Sequence, residues 1–210
     1  CYINSYYRLA KITFDFVNEL RDFSADHDAI VYFAEKMLEY KSNEGYYMDS
    51  LFNKVGPTLI HGIELESLMK KYQDHISMYI YSLGKSYQER AKSNIRSALE
   101  SADIEVSQRQ VVSAFNDIHR SFLLYEKNKL DESLAYACID FAFLSLNCSQ
   151  YISDMENAKV FLEFGISNAN MASDIALSFS DDLARRKNFN KMMLYNKGIR
   201  LAESIEGLID

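Results

Sequence analysis

The sequence predicts an all-α protein, a helical bundle of about eight helices. Apolar residues recur at spacings of three and four, and chain-breaking residues are scarce, with seven Gly and one Pro in 210 residues. Apolar residues make up 48% of the chain, enough to bury a core in one domain or in two closely packed halves. We therefore predict an N-terminal helical region, residues 1–105, and C-terminal helical hairpins, residues 106–210, packed on it or forming a single domain with it.

Three helices are predicted at the start of the chain. The first is Tyr2–Phe23, where apolar side chains repeat with helical spacing. The second covers residues 29–40, and Ser, Asn, Glu and Gly at 42–45 are expected to end it. A short third helix at 46–54 should end before Pro57, which is predicted to lie in a loop.

The next stretch, residues 59–102, contains no strong helix stop except Gly84. It is predicted to form one very long helix or two helices that meet near Gly84. Gly84, Lys85 and Ser86 could suggest a phosphate-binding loop. Such a loop needs a further glycine five residues before Gly84 and a strand leading into it, but Tyr79 is at that position and the flanks are helical. Nucleotide binding is therefore not predicted here.

Five more helices are predicted near residues 107–127, 131–149, 153–168, 171–185 and 188–207. Ser107 with Gln110, and Ser153 with Glu156, have the spacing of a capping box, which indicates two helix starts. Residues 134–144 are apolar almost all round, as in a helix that is enclosed on most sides. We predict that this helix is the centre of the C-terminal half.

The C-terminal half also contains hints of a helical repeat. A shift of 33 residues aligns Leu144 with Leu177, Ser145 with Ser178, Asn157 with Asn190, Gly165 with Gly198, Ile166 with Ile199 and Ala169 with Ala202. A period of about 34 residues suits stacked helical hairpins. The turn at Leu124, Asn128, Leu130 and Ser133 resembles a tetratricopeptide-type turn. The two hints place the hairpins differently, so an irregular helical bundle is the alternative.

The charge distribution argues against several classes of partner. The net charge is −7, and both halves of the chain contain more acidic than basic residues. Affinity for nucleic acid depends on neutralising phosphates with Lys and Arg, so direct binding of nucleic acid is not predicted. The most apolar run, residues 134–148, contains Asp140 and is shorter than the about 20 residues that cross a bilayer. No transmembrane segment is predicted.

The cysteines indicate a reducing environment. Cys1, Cys138 and Cys148 are odd in number and lack the spacing of a metal site, so neither a disulfide framework nor a zinc site is predicted. A cytoplasmic location follows, and Cys1 is interpreted as a fragment boundary. The alternative is a bacterial lipoprotein, anchored at the cell surface through Cys1. Cys138 and Cys148 lie in the most apolar segment, which favours packing over catalysis.

Three residues are selected as candidate binding positions: Asp140, His119 and Tyr125. A carboxylate in an apolar helix such as that of Asp140 must find a partner, reach water or be neutral, so it could anchor a cationic group of a ligand. His61 and Glu64 stand one helical turn apart, but Gly62 weakens that helix and a second ligand pair must come from elsewhere in the chain. We therefore predict no catalytic residue, no metal site and no cofactor.

The predicted function is that of a helical module without catalytic activity, which binds a protein or peptide as an adaptor, a regulatory domain or a neutralising partner of a basic protein. Tyrosines are crowded in the first 88 residues, which indicates that some lie at an interface. One alternative is an enzyme whose site is assembled from scattered His and Asp residues, and another is a lipoprotein ectodomain that binds an extracellular partner. A homodimer through residues 59–102 is compatible with either class.

Overall fold

The computed structural model describes residues 2–23, 26–55, 59–60, 63–149, 155–178 and 189–209. This part of the chain confirms the all-α class and contains seven helices and one short hairpin. The helices are α1 (Tyr2–Phe23), α2 (His27–Val55), α3 (Leu65–Glu100), α4 (Ile104–Lys127), α5 (Asp131–Cys148), α6 (Met155–Ser178) and α7 (Phe189–Ile209). The hairpin, β1 (Leu59–Ile60) and β2 (Ile63–Glu64), lies between α2 and α3 in chain order.

The chain divides into two compact units, Cys1–Ser86 and Tyr87–Asp210, which we call unit 1 and unit 2. The division falls within α3, and the boundary that the sequence suggested, after residue 105, lies in the first turn of α4. Among the described helices, none is both long enough and apolar enough to cross a bilayer.

In unit 1, α1 and α2 pack against each other as an antiparallel pair. The ring of Tyr2 stacks on that of Tyr47, and the ring of Phe16 meets that of Phe33 edge to face, which fixes the direction of the pairing. Apolar side chains of α1, α2 and the first part of α3 form the core of unit 1. The buried apolar residues are Ala10, Val17, Ile30, Val31, Ala34, Met37, Met48, Tyr79, Ile80 and Leu83.

The expected helix end at residues 42–45 is wrong, because α2 continues through it to Val55. The reason lies in packing, since the ring of Tyr72 lies directly against the backbone at Gly45. A Cβ atom at residue 45 would overlap the hydroxyl and ring of Tyr72. Gly45 therefore permits a close approach between helices and does not end one.

The stretch at 59–102 was predicted to be helical throughout, but it begins with a short hairpin. The single long helix α3 starts only at Leu65. The hairpin is a two-residue antiparallel ladder, in which Leu59 pairs with Glu64 and Ile60 pairs with Ile63. The helix α3 then continues without interruption through Gly84. One glycine costs a helix only about 1 kcal/mol, so the contacts of the neighbouring turns decide the outcome. Pro57 lies outside the described residues.

In unit 2, α5 is the central helix, as predicted. It packs against α4, α6 and α7, and it buries more than half of its side chains. One buried cluster joins α5 to α3 and α4 and consists of Ala91, Ile95, Ala114, Ile118, Phe141, Leu144 and Cys148. A second joins it to α6 and α7 and consists of Ala142, Leu162, Ala169, Ala202 and Ile205.

The start of α4 differs from the predicted capping box. Asp103 is the N-cap, and its Oδ1 accepts hydrogen bonds from the backbone amides of Glu105, at 2.9 Å, and Val106, at 3.2 Å. Ser107 instead lies buried in the first turn, where its Oγ is 2.9 Å from the carbonyl oxygen of Ala98. An acidic cap also favours the positive end of the helix, which explains why the helix starts earlier. Ser153 lies outside the described residues.

A turn between α4 and α5 is present where the sequence predicted one, while its likeness to a tetratricopeptide-type turn stays a prediction. The amide of Leu130 donates to the carbonyl of Tyr125 at 3.0 Å, and Lys129 has a φ of 54°, the left-handed conformation common just after a helix. The Asn128 amide group donates to the carbonyl of Leu124 at 2.7 Å. The helix that follows starts at Asp131, as predicted.

The predicted break between residues 168 and 171 is wrong, because α6 is continuous from Met155 to Ser178. Asn168 bonds back to the carbonyl of Phe164 at 2.9 Å and so stays within the helix. Gly165 packs against Ser145 of α5, and Gly198 packs against Ser173 of α6, so each allows a close helix contact. The repeat that aligned these two glycines remains a prediction.

Candidate functional site

Two of the three candidate residues, Asp140 and Tyr125, belong to one hydrogen-bonded chain in unit 2. The Tyr125 hydroxyl donates to Gln88 Oε1 at 3.3 Å, and Gln88 Nε2 donates to Asp140 Oδ2 at 3.0 Å. Lys92 Nζ lies 3.0 Å from the same Asp140 oxygen. The helix α3 supplies Gln88 and Lys92, the two side chains that contact Asp140. The helix α4 supplies Tyr125, which is the buried end of the hydrogen-bonded chain.

The chain of contacts leads from the interior of unit 2 to its surface. Tyr125 is fully buried, Asp140 is mostly buried, and the side chain of Lys92 is 59% exposed. The cation that satisfies Asp140 is therefore a residue of the protein itself. Since Tyr125 is buried, any influence of it on a ligand must pass through Gln88 and Asp140, so its role as a binding residue stays a prediction.

Burial dominates the proton affinity of Asp140. It raises the pKa of this carboxyl above its ordinary value of 3.8, while the positive charges of Lys92 and Lys197 and the hydrogen bond from Gln88 offset part of the increase. The folded protein thus binds this proton more tightly than the unfolded chain does. The stabilising effect of the proton is complete below the unfolded pKa and is lost as pH rises through the folded pKa.

We expect the variant Asp140→Asn to lack this pH dependence, because an amide has the shape of the acid but does not titrate. Between about pH 3 and pH 7, the free energy of unfolding of the wild type should fall relative to that of the variant. Urea unfolding of both proteins across this range measures the difference. A difference that rises with pH would contradict this account, because it would mean that ionised Asp140 is stabilised by the fold.

A second pair links α3 to α4. The guanidinium of Arg90 donates two parallel hydrogen bonds of 2.7 Å to Asp117, from Nε to Oδ2 and from Nη2 to Oδ1. His119 and Arg120 are exposed, but Asp117 is buried, because the guanidinium of Arg90 satisfies its carboxylate.

The third candidate residue, His119, lies apart from these pairs on a group of rings that we call the aromatic cluster. The cluster consists of Phe115, His119 and Phe122 of α4, Phe141 of α5, and Phe161 and Phe164 of α6. Phe141 is its buried floor, with ring centroids 5.3 Å from Phe115, 5.6 Å from Phe164 and 6.3 Å from His119. The rings from α4 and α6 meet above this floor.

The aromatic cluster is open to solvent on one side. His119 is exposed, Phe164 is 42% exposed, and the rings of Phe115, Phe122 and Phe161 are half-buried. One turn along the same helices, Val112 and Val160 are also exposed. The sequence did not identify this surface, because the phenylalanines of α4, α5 and α6 are far apart along the chain.

The other chemical candidates have structural roles. Burial raises the pKa of the Cys138 and Cys148 thiols to about 12, so little thiolate exists at neutral pH, and both cysteines are free. Ser86 lies within α3 and accepts a hydrogen bond from Arg21 at 2.6 Å, as a helical residue and not as part of a phosphate loop.

His61 and Glu64 have a spacing that two ligands of a metal ion could have. His61 lies outside the described residues, and in the part of the chain that the structure describes no three His, Cys, Asp or Glu side chains come together as a metal site requires. Comparisons with protein families, with curated proteins and with solved structures find no match to this chain.

Proposed function

We propose that the chain is a binding module without catalytic activity, and that the aromatic cluster of unit 2 receives an apolar anchor of a protein or peptide partner. The observation that carries this proposal is the open side of the cluster, where Phe164 and His119 lie over the buried ring of Phe141. Aromatic side chains with one exposed face are typical of the energetic centre of an interface.

The arrangement of the helices supports a partner that adopts an extended or helical shape. Rings from α4 and α6 form the cluster, and Val112 and Val160 lengthen the apolar surface along both helices. Exposed apolar surface of this kind is covered when a partner binds. Since the net charge of the chain is −7, basic residues around the anchor of the partner would speed the encounter, and salt would reduce this effect.

The neighbouring polar groups fit a supporting role better than a catalytic one. Asp140 is the residue immediately before Phe141 in the sequence. Lys92 and Gln88 hold its carboxyl group in place. These contacts fix the turn of α5 that carries the floor of the cluster. An enzymatic site built on Asp140 or His119 is therefore not the function that we propose.

The expected result for Phe164→Asp is a loss of peptide binding of at least about tenfold, because a charge would replace the exposed ring at the centre of the surface. Peptides selected from a displayed random library on the wild-type protein supply the ligands, and isothermal titration supplies the dissociation constants. Selected peptides should be rich in aromatic and basic residues.

The matched control is Leu208→Asp, which places the same charge at another exposed apolar residue, on α7. This variant should bind the peptides as the wild type does, and both variants should retain the wild-type circular dichroism spectrum. The proposal is wrong if the library yields no peptide above background, or if the two variants bind equally well.

A further inference from the structure

The helix α1 has a second apolar stripe, which runs beside its buried face. Its buried face is centred on Ala10 and Val17, which are fully covered. The stripe consists of Tyr2, Leu9, Ile12, Phe16 and Phe23, and all five are exposed, from 40% for Phe16 to 88% for Phe23. We call these five residues the α1 stripe.

The spacing of the α1 stripe is that of a helix with a helical partner. Successive members are seven, three, four and seven residues apart. Residues at these intervals lie along one side of a helix and can line a seam with a second helix, in which the exposed polar residues Ser5 and Glu19 also stand. Folding of unit 1 covers only part of this seam, and an apolar stripe of this length is costly to leave in water.

The α1 stripe is also nearly symmetric about its centre. If two copies of α1 lie antiparallel, Tyr2 of each copy faces Phe23 of the other, and Leu9 faces Phe16. Ile12 then lies beside the two-fold axis, next to its own counterpart. A self-complementary patch of this kind is what an isologous dimer requires. We propose that the occupant of the α1 stripe is a second copy of this chain, paired antiparallel through α1.

Charges beside the stripe favour the same pairing. Arg8 and Asp15 are exposed and lie on one flank of the stripe, at heptad positions that face each other in antiparallel helices. In the proposed register, Arg8 of one copy lies within two residues of the level of Asp15 of the other, about 3 Å along the axis. Two equivalent ion pairs therefore form across the dimer.

Rings of α2 extend the surface beside the α1 stripe. Phe16 meets Phe33 at 4.8 Å between centroids, and Tyr2 stacks on Tyr47 at 5.5 Å. A second copy seated on the stripe would thus cover parts of both helices. A lipid surface is the poorer occupant, because a chain of net charge −7 is repelled by anionic headgroups. This dimer differs from the one considered for residues 59–102, and it does not depend on the proposed function.

The test is sedimentation equilibrium of the full chain at increasing concentration. The wild type should dimerise, and Ile12→Asp should raise the dissociation constant at least about tenfold, because it places two like charges at the two-fold axis. Ile12 is 66% exposed, so its replacement leaves the core of each monomer intact. The control Leu208→Asp should dimerise as the wild type does. A wild type that stays monomeric, or equal dissociation constants for the two variants, would overturn the proposal.

A charge exchange tests the register. The single variants Arg8→Glu and Asp15→Arg should each weaken dimerisation, and the double variant should restore it, because both ion pairs reform with reversed sign. If the double variant is as weak as the sum of the two single variants, the proposed contact between Arg8 and Asp15 is wrong.

Engineered cysteines test the orientation. In a Cys1→Ser background, Ile12→Cys should form an intermolecular disulfide under mild oxidation, because residue 12 is within two residues of its counterpart along the axis. Leu9→Cys should not, because the two copies of residue 9 would lie about 10 Å apart along an antiparallel pair, beyond the reach of a disulfide. Rapid crosslinking of both variants would indicate parallel helices and overturn the antiparallel arrangement.

Discussion

Replacement of Lys41 by alanine is expected to lower the free energy of unfolding by about 3–5 kcal/mol, because it leaves a buried carboxylate without its cation. Lys41 Nζ donates to Glu44 Oε2 at 2.9 Å, and both side chains are almost completely buried in unit 1. Burial of an ion pair contributes little net stability, but loss of one partner alone is strongly destabilising.

Aromatic rings complete the surroundings of this lysine. Its Nζ lies 5.6 Å from the ring centroid of Tyr7, 4.8 Å from that of Tyr72 and 5.3 Å from that of Tyr79. The phenols of Tyr72 and Tyr79 are neutral at physiological pH, and burial raises the pKa of both further, to about 12. Their electron-rich faces therefore attract the ammonium group. Lys41→Ala removes these contacts as well as the ion pair.

The matched control for this variant lies five residues earlier on the same helix. Lys36 pairs with Glu39 at 2.7 Å with the same i, i+3 spacing, but both side chains are exposed. Lys36→Ala should therefore leave the unfolding transition in urea almost unchanged. A second variant, Lys41→Met with Glu44→Leu, removes both charges and should recover part of the lost stability. Equal effects of Lys41→Ala and Lys36→Ala would contradict the prediction.

The second large effect is expected for Arg90→Met, which should destabilise the protein by about 3 kcal/mol. The substitution keeps an apolar stem on α3 but removes the fork that holds Asp117, whose side chain is 3% exposed. The buried carboxylate of Asp117 is then left without either of its two charge-assisted hydrogen bonds from Arg90.

Chemical unfolding followed by circular dichroism measures the effect of Arg90→Met. Arg90→Lys retains the charge but not the planar fork, so its effect should be intermediate. Arg90→Met as stable as the wild type at neutral pH would mean that other contacts satisfy Asp117.

Local sequence patterns predicted the helices well where the pattern of a single helix is complete in itself. The bounds of α1 are those predicted, since its apolar spacing and its end are both written into consecutive residues. The start of α5 and the turn before it were predicted for the same reason. The helix ends predicted near Gly45 and Asn168 were wrong. Gly45 lies in close contact with Tyr72 on another helix. The side-chain amide of Asn168 donates a hydrogen bond to a carbonyl of its own helix.

Asp140 could be selected from the sequence because a carboxylate in an apolar helix needs an explanation. Its partner Gln88 lies 52 residues earlier, and no local pattern connects the two. Lys41 was missed although a signal existed, since it falls on the buried stripe of α2 between Met37 and Met48 at helical spacing. Lysine on a predicted helix is usually solvated, which is why this signal was not used.

By itself the sequence determined that the chain is helical, that α5 is enclosed in its half, and that the protein is acidic. These properties follow from composition and from periodicity within single segments. Only the tertiary structure decided which charges are buried, which phenylalanines form the aromatic cluster, and which face of α1 stays open. The physical reason is that burial and pairing depend on contacts between segments far apart in the chain, and a helical period reveals that a face is apolar but not what covers it.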